Sequence, residues 1–424
     1  MPARSARLPV ADLGGMGAVK PANASLSGLG TTIFEVMSRL AEEHRAVNLG
    51  QGFPDEGFPL DVLERAASET VHGWNQYPSM MGVPELRQAV AAHGSRFYGL
   101  DVDWARETMV TSGATEALAA ALLGLIEPGD EVIVFQPLYD CYLPMIRRGG
   151  GIPRFVNLHP PTWSLDPDEL RAAFSARTKL VLVNDPQNPA AKVWSREELE
   201  VVAELAARHD AYLVCDEVYE HVVFDGRPHV PLITLPGMRD RCVKIGSAGK
   251  TFSLTGWKIG YVTAAPELLA PIAKAHQFLT YTSPPNLQRA VAYGLGKGDE
   301  YFSGLVSFME SRRDLLADGL RGLGLPPLDC QGTYFLNVDL GAAAGSLGLD
   351  GDPDVGARFD DAELCQRLVS EVGVALIPLS AFYDPEATAS GQAPPPPRSI
   401  VRFCFCKKSE TLAAGLERLA TRFG

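Results

Sequence analysis

The chain has 424 residues, 46% of them hydrophobic, which suits a two-domain enzyme better than one simple core. Its 38 basic and 51 acidic residues leave a net charge of -13, which repels a nucleic-acid backbone while still allowing a local basic pocket for a small anion. Seven scattered cysteines, an odd number, point to reduced thiols and a cytoplasmic setting. No stretch approaches the ~18 consecutive apolar residues that span a bilayer, so a soluble protein with no membrane partner is expected.

Residues 1–30 read as an arm: Pro9 and Asp12 interrupt any signal-like apolar run, and no basic helix-turn-helix is present that would suit a DNA-binding sensor. Over 101–265 short β-branched runs alternate with amphipathic ones, the pattern of a mostly parallel sheet between helices. Strands are predicted over 108–112, 131–135, 180–184, 211–215, 242–245 and 259–263, with helices over 114–126 and 197–208. Ligands of such sheets sit beyond the carboxyl ends of the strands. A long helical stretch is predicted over 268–322, then isolated strands over 333–337 and 400–404 in a second, smaller α/β domain. Residues 341–356 and the Pro-rich 391–398 read as surface loops.

The residues after the predicted strands carry the chemistry. Lys250 follows a buried run in Ser247-Ala-Gly-Lys250, where desolvation lowers an amine's pKa and makes it a nucleophile for an aldehyde. A loop lysine is the plainer alternative, but Ser247 and Lys258 add a hydroxyl and a second cation that suit a phosphate. Asp216 and Tyr219 follow the 211–215 strand. They can pair with a protonated ring nitrogen and a ring oxygen, or Asp216 can simply cap a helix. Gly113, Ala114 and Thr115 open a helix whose N-H groups suit a phosphate, although strand-Gly-helix junctions are common. Asn188 sits in a Pro-punctuated turn and can reach a ring oxygen or form an Asx-turn. Tyr139 can stack on a flat ring or merely pack. Arg402, inside an apolar strand, needs either a substrate carboxylate or an internal Asp or Glu. The eight histidines and the cysteines show no ligand-like spacing, so no metal is expected.

Taken together, Asn48-Leu-Gly-Gln-Gly-Phe-Pro-Asp55, Asn75-Gln-Tyr77, Ser112-Gly-Ala-Thr-Glu-Ala117, Asp216-Glu-Val-Tyr219, Gly246-Ser-Ala-Gly-Lys250, Thr255-Gly-Trp-Lys258 and Gly332-Thr-Tyr-Phe335 resemble fold-type-I pyridoxal-phosphate aminotransferases of class I/II, in the kynurenine, glutamine and methionine aminotransferase branch. The resemblance runs from about residue 31 to the C-terminus. It implies an α/β fold with a large domain on a mostly parallel seven-stranded sheet and a smaller C-terminal α/β domain. The corresponding division is an arm at 1–30, a segment at 31–60 serving the small domain and substrate site, a cofactor domain at 61–305 and a small domain at 306–424. It implies pyridoxal 5'-phosphate bonded to Lys250, with Asp216 at the ring nitrogen, Tyr219 and Asn188 at the ring oxygen, and Tyr139 stacked on the ring. The phosphate would rest on Gly113, Ala114, Thr115, Ser247 and Lys258, with Tyr77 reaching it from a neighbouring subunit of a homodimer. Arg402, Asn188 and the Gly52 backbone would hold the substrate, beside Phe34. The expected reaction moves an amino group from an aromatic, methionine or glutamine-like α-amino acid to an α-keto acid by a ping-pong route.

Some positions depart from the pattern. Asp185, Ala190 and Ala191 stand where the family usually shows Thr, Thr and Gly. Phe34 stands where kynurenine-type members carry Trp, and Thr115 where some carry an aromatic, which counts against kynurenine; Phe34, Tyr281 and Phe382 can still line an apolar pocket. The alternatives are an N-succinyldiaminopimelate aminotransferase and a cysteine-conjugate β-lyase.

Overall fold

The computed structural model describes residues 20, 22–341, 343 and 360–424. Most of the expected N-terminal arm and of the 341–356 loop lies outside the described residues. Contacts divide the chain after Gly30, and the described part of the first unit holds a short helix, Ala24–Ser27.

In the unit that follows, the strands in chain order are β1 (Val47–Asn48), β2 (Thr108–Thr111), β3 (Glu131–Gln136), β4 (Ile152–Asn157), β5 (Thr178–Asn184), β6 (Tyr212–Asp216), β7 (Cys242–Ser247), β8 (Gly260–Thr263), β9 (Phe335–Asp339), β10 (Val374–Ala375), β11 (Ile377–Pro378) and β12 (Ile400–Cys404). Seven of them form one sheet in the order β2-β8-β7-β6-β5-β3-β4. Neighbours from β7 through β4 are parallel, while β8 runs antiparallel to both β2 and β7. The sheet is apolar on both faces because both are covered. Val132, Val134, Leu180, Leu182 and Val214 pack with the helices Gly113–Leu125 and Pro266–Leu279. Ile133, Val181, Val183 and Leu213 pack with Trp194 and with Leu199 and Val202 of the helix Arg196–Arg208.

A three-stranded antiparallel sheet, β11-β12-β9, has Arg402 on its central strand opposite Asn337 and Ile377. The β1-β10 pair is parallel and joins Val47 to Val374. The backbone continues this attachment, with Cys404 N-H donating to Leu49 O at 2.7 Å.

The predicted strands and helices form, shifted by a residue or two. Three differences have physical causes. The predicted helical stretch over 268–322 is three helices, Pro266–Leu279, Pro285–Leu295 and Asp299–Gly322, interrupted before Pro285 and at Gly296 and Gly298. The strand predicted at 333–337 starts only at Phe335, because Thr333 has φ 72° and cannot join a ladder. β4 goes unpredicted because Pro153 and Arg154 break its apolar run; as an edge strand it tolerates both.

The antiparallel β8 matters for the site, since its start lies at the same sheet edge as the carboxyl ends of its neighbours. There the backbones touch: a Cβ on Gly260 would come within 2.6 Å of the Gly113 carbonyl carbon and 2.8 Å of Ala114 N. Gly260→Ala is therefore expected to push the start of the Gly113–Leu125 helix away and to cost about 1–3 kcal/mol, read as a lower urea midpoint at unchanged slope.

Candidate active site

One cleft of about 350 Å³ opens at this edge, and every sequence-predicted site residue except Tyr77, Tyr281 and Phe382 lines it. The topology explains the gathering. Gly113, Ala114 and Thr115 follow β2, Tyr139 follows β3, Asn188 follows β5, Asp216 and Tyr219 end and follow β6, and Ser247 and Lys250 end and follow β7. Lys258 stands just before the reversed strand β8, so it reaches the same edge from the opposite chain direction.

Asp216 is the most constrained of these groups. Its Oδ2 accepts from the Tyr142 hydroxyl at 2.6 Å, its Oδ1 from Val218 N-H at 3.4 Å, and its own carbonyl from Asn184 Nδ2 at 2.8 Å. Burial pushes its carboxyl up to about 6, against the Tyr142 and Val218 hydrogen bonds and the Lys250 charge, which pull it down. Asn184 Oδ1 in turn accepts from Asn188 N-H at 2.7 Å, which sets the turn after β5.

Burial lowers the Lys250 amine below the usual lysine range, opposed by Cys406, Cys404 and Asp216. Its Nζ lies over the rings of Tyr219 and Tyr334, 5.3 and 5.6 Å from their centres, and the Tyr334 hydroxyl donates to Lys250 O at 2.6 Å. The lysine is thus an amine in an aromatic box, with its backbone anchored from β9's approach.

Arg402 is 1% exposed and makes no ion pair with an Asp or Glu among the described residues. Of the two partners left open by its sequence context, no internal carboxylate pairs with it among the described residues, although the Asp140 charge is near enough to act on it. Its Nη1 donates to Asn188 Oδ1 at 2.7 Å and its Nη2 to Gly50 O at 3.1 Å, while its Nε finds no acceptor. The Phe335, Phe382 and Phe34 rings surround it, with Phe335 only 3.7 Å from the guanidinium carbon. Burial pushes the group down to about 10, so it still carries its charge at neutral pH. Such a guanidinium is costly unless an anion completes it. Gly52 comes to it by close approach, since a Cβ there would meet Phe335 Cζ at 2.6 Å. Asn48 Oδ1 holds that loop by accepting from the Gly50 and Gln51 N-H groups.

At the other end, the Ser112 cap has no side-chain bond of its own, and the first-turn N-H groups of the helix lack intrahelical acceptors. Gly113 has φ +74°, and a Cβ added to it would lie 3.3 Å from Lys258 Nζ. With Ser247 alongside, these groups make a cradle of donors and positive charge that fits a phosphate. The cleft as a whole therefore fits pyridoxal phosphate: a donor cradle, an amine, and a buried carboxylate at the far edge of a flat aromatic-walled slot.

Three predicted residues lie elsewhere. Tyr77 is 82% exposed and packs edge to face on Tyr281, ring centres 5.9 Å apart. Tyr281 is absent from this chain's cleft, and so is Phe382 from its lining; Phe382 instead backs Phe34 at 5.8 Å. Sequence reasoning missed Tyr142 and Gln51 as lining residues and gave Phe335 no role. Tyr142 sits three residues beyond Tyr139, a spacing that a helical turn brings to the same side, which was the one available signal.

The Asp185 departure acquires a reason. Its buried carboxylate pairs with His229 Nδ1 at 3.3 Å and accepts from Trp194 N-H at 3.1 Å, and His229 Nε2 lies 3.1 Å from Glu217. Burial alone would lower His229, but Asp185 and Glu217 raise it to about 10. The cluster continues through Lys244, 3.4 Å from Glu217 and 2.6 Å from Glu220. Glu220 also lies close to His93 and His221, a His-Glu-His grouping that no sequence spacing announces. Lys244 already occupies its carboxylate, and the two histidines bond each other at 2.7 Å.

A parallel-sheet fold with an amine, a carboxylate, a donor cradle and a buried arginine at its carboxyl edge defines an enzyme that works on amino acids through an aldehyde cofactor. The comparisons with known proteins agree. Residues 44–419 match the family model for aminotransferase class I and II, and the chain belongs to that family. It is 42% identical to the methionine aminotransferase of Escherichia coli over 93% of this chain and 97% of that one. It is 37% identical to a kynurenine-oxoglutarate transaminase of Dictyostelium discoideum, covering 93% and 94%. The solved structure of N-succinyldiaminopimelate aminotransferase from Mycobacterium tuberculosis is 41% identical, superposes with a TM-score of 0.86, and is matched over 95% of this chain and 100% of that one. The chain is a pyridoxal-phosphate aminotransferase of amino acids.

The burial of Asp216 has a measurable consequence. An unfolded aspartate titrates near 3.8 and this one near 6, so between those values the folded chain holds a proton that the unfolded chain has released. The stability this proton contributes is present at acid pH and is lost as pH rises from about 4 through about 6. Asp216→Asn is expected to stabilise the cofactor-stripped protein by roughly 1–3 kcal/mol at about pH 8 and to have little effect near pH 4. Urea unfolding at the two pH values checks this; an equal gain at both would contradict it.

Proposed function

We propose that Lys250 bonds to the cofactor aldehyde, Asp216 meets the ring nitrogen, Tyr219 and Asn188 meet the ring oxygen, and Tyr139 stacks on the ring. Gly113, Ala114, Thr115, Ser247 and Lys258 take the phosphate, with Tyr77 supplied by a second copy of the chain. When bound, pyridoxal phosphate supplies an aldehyde that joins amines and a protonated ring that takes up the electron pair left on the substrate's Cα. The chain's own residues do the rest. Arg402, with Asn188 beside it, grips the substrate carboxylate. Lys250, its amine lowered by burial, takes the proton from Cα and gives it back elsewhere. Asp216 keeps the ring nitrogen protonated, and the Tyr142 hydrogen bond keeps Asp216 ionised for that task. Phe34, Phe335 and Phe382 keep water from the guanidinium. The observation that carries this reading is the buried Arg402, charged and with no ion-pair partner among the described residues, lining the same cleft as Lys250.

For the amino donor we favour an uncharged side chain, as in methionine, glutamine or an aromatic amino acid. The cations that line the cleft, Lys250, Lys258 and Arg402, all have work in this scheme, and Phe34, Leu118, Tyr139 and Phe335 make much of the rest of the wall apolar. A donor with a second carboxylate, such as N-succinyldiaminopimelate, would need a further cation.

The homodimer is supported by exposed large apolar side chains. Trp74, Tyr77 and Phe278 are 66%, 82% and 83% exposed, Tyr281 packs against Tyr77, and Tyr281 from a second copy would complete the apolar pocket. The division at 61–305 and 306–424 is supported by the separate sheets, and attachment of the 31–60 segment to the small domain by the β1-β10 pair. A cytoplasmic, reducing setting is supported by seven free cysteines, including the Cys404 and Cys406 sulfurs left unbonded at 3.2 Å.

The test is a half-reaction without keto acid, offering methionine, glutamine, phenylalanine, kynurenine and N-succinyldiaminopimelate in turn. Methionine, glutamine or phenylalanine is expected to discharge the visible band of the lysine-bound cofactor with one equivalent of keto acid released. Selective response to N-succinyldiaminopimelate, or catalytic pyruvate and ammonia from cysteine conjugates, would displace the favoured donor. Arg402→Lys is expected to lower kcat/KM roughly 100-fold while leaving the cofactor bound, because a point charge replaces a two-pronged grip.

A further inference from the structure

His276 lies on the Pro266–Leu279 helix with a side chain that is wholly buried. Its Nδ1 is 2.9 and 3.0 Å from the two carboxylate oxygens of Glu116, and its Nε2 is 2.9 Å from the Met80 carbonyl oxygen. A carbonyl oxygen only accepts, and so does a carboxylate. Both ring nitrogens therefore carry hydrogens, and the ring is an imidazolium. Burial works against that charge, and the bonds to Glu116 override it, raising the ring above the usual histidine range.

Glu116 occupies the first turn of the Gly113–Leu125 helix, where its Oε2 also accepts from Ser112 N-H at 3.0 Å. The two helices cross tightly, since a Cβ on Gly124 would meet the Pro271 carbonyl carbon at 2.9 Å. His276 is thus held in place under the helix end that forms the donor cradle. An acidic side chain in a helix's first turn helps the bare helix but opposes any anion bound at that same end. Met80, the other partner of His276, belongs to the segment that carries Tyr77.

We infer that His276 is a positioning residue for the cofactor phosphate: it cancels the Glu116 charge beneath the phosphate-holding helix end and pins, through Met80, the segment bearing Tyr77. The inference rests on the phosphate placement proposed above. It assigns the requirement to net charge, so removing the imidazolium alone does harm and removing both charges does not.

The experiment uses the full-length enzyme dialysed against graded pyridoxal phosphate, with pyridoxal as the probe that lacks the phosphate. His276→Gln is expected to raise the Kd for pyridoxal phosphate about tenfold and to change that for pyridoxal little. Glu116→Gln keeps the same shape, accepts from Ser112 and donates to a neutral His276, so its Kd should stay within about threefold of the parent. The double variant E116Q/H276Q should recover most of the loss. The inference is overturned if His276→Gln binds pyridoxal phosphate as the parent does, if the double variant is no better than the single one, or if pyridoxal is weakened as much as its phosphate ester. Should His276→Gln not fold, Glu116→Gln decides alone, and a phosphate-selective loss there sinks the idea. Ser247→Ala serves as the separate check on placement: no loss of pyridoxal phosphate affinity in that variant would show that the phosphate lies elsewhere, whatever His276 does.

Discussion

A carboxylate buried at the end of a central strand is the constraint around which this molecule is arranged. Asp216 terminates β6, and desolvation opposes its charge. The surroundings answer with the Tyr142 hydroxyl and the Val218 N-H, while the Asp216 carbonyl takes the Asn184 amide and the Asp185 N-H. Those bonds reach three successive sheet-edge loops, after β3, β5 and β6, and so the position of one acid fixes where Tyr139, Asn188 and Tyr219 stand. An unbonded polar group at such depth is costly, which is why the loops around this edge are tightly cross-linked.

The two charged ends of the cleft are built on opposite principles. At the Gly113 end, charge is distributed among helix N-H groups, a hydroxyl and an exposed lysine, so that no single group is left costly when alone. At the Arg402 end, a single guanidinium is enclosed by three phenyl rings and left with an unsatisfied Nε. Planar delocalised charge on aromatic faces survives such enclosure better than an ammonium would. Asn188 and Gly50 accept from two of its nitrogens, and the proposed grip on a substrate α-carboxylate would satisfy it further.

A second buried network, from Asp185 through His229, Glu217 and Lys244 to Glu220, runs behind the site. It absorbs a carboxylate in the turn after β5, three residues before Asn188, by supplying a histidine held in its charged form. A departure from the usual residue at one position is thereby matched by a partner over forty residues further along the chain.

Much of this was legible in the order of residues. Alternation of apolar runs with amphipathic ones predicted the sheet, because a strand covered on both faces must be apolar throughout. The rule that ligands gather at carboxyl ends then selected Asp216, Ser247, Lys250, Asn188 and the Gly113 turn, since a residue's place relative to its own strand is a local property. What only the tertiary structure decided concerns partners distant in sequence. Whether Arg402 faced an internal acid or an open cleft, that Tyr142 supports Asp216, that Lys258 arrives on a reversed strand, that His276 sits under Glu116, and that Tyr77 and Tyr281 stand outside this chain's cleft all depend on which elements pack together. Spacing along the chain records the period of a helix or strand, whereas a hydrogen bond between residues 116 and 276 is set by how two helices cross, and no local pattern encodes that crossing.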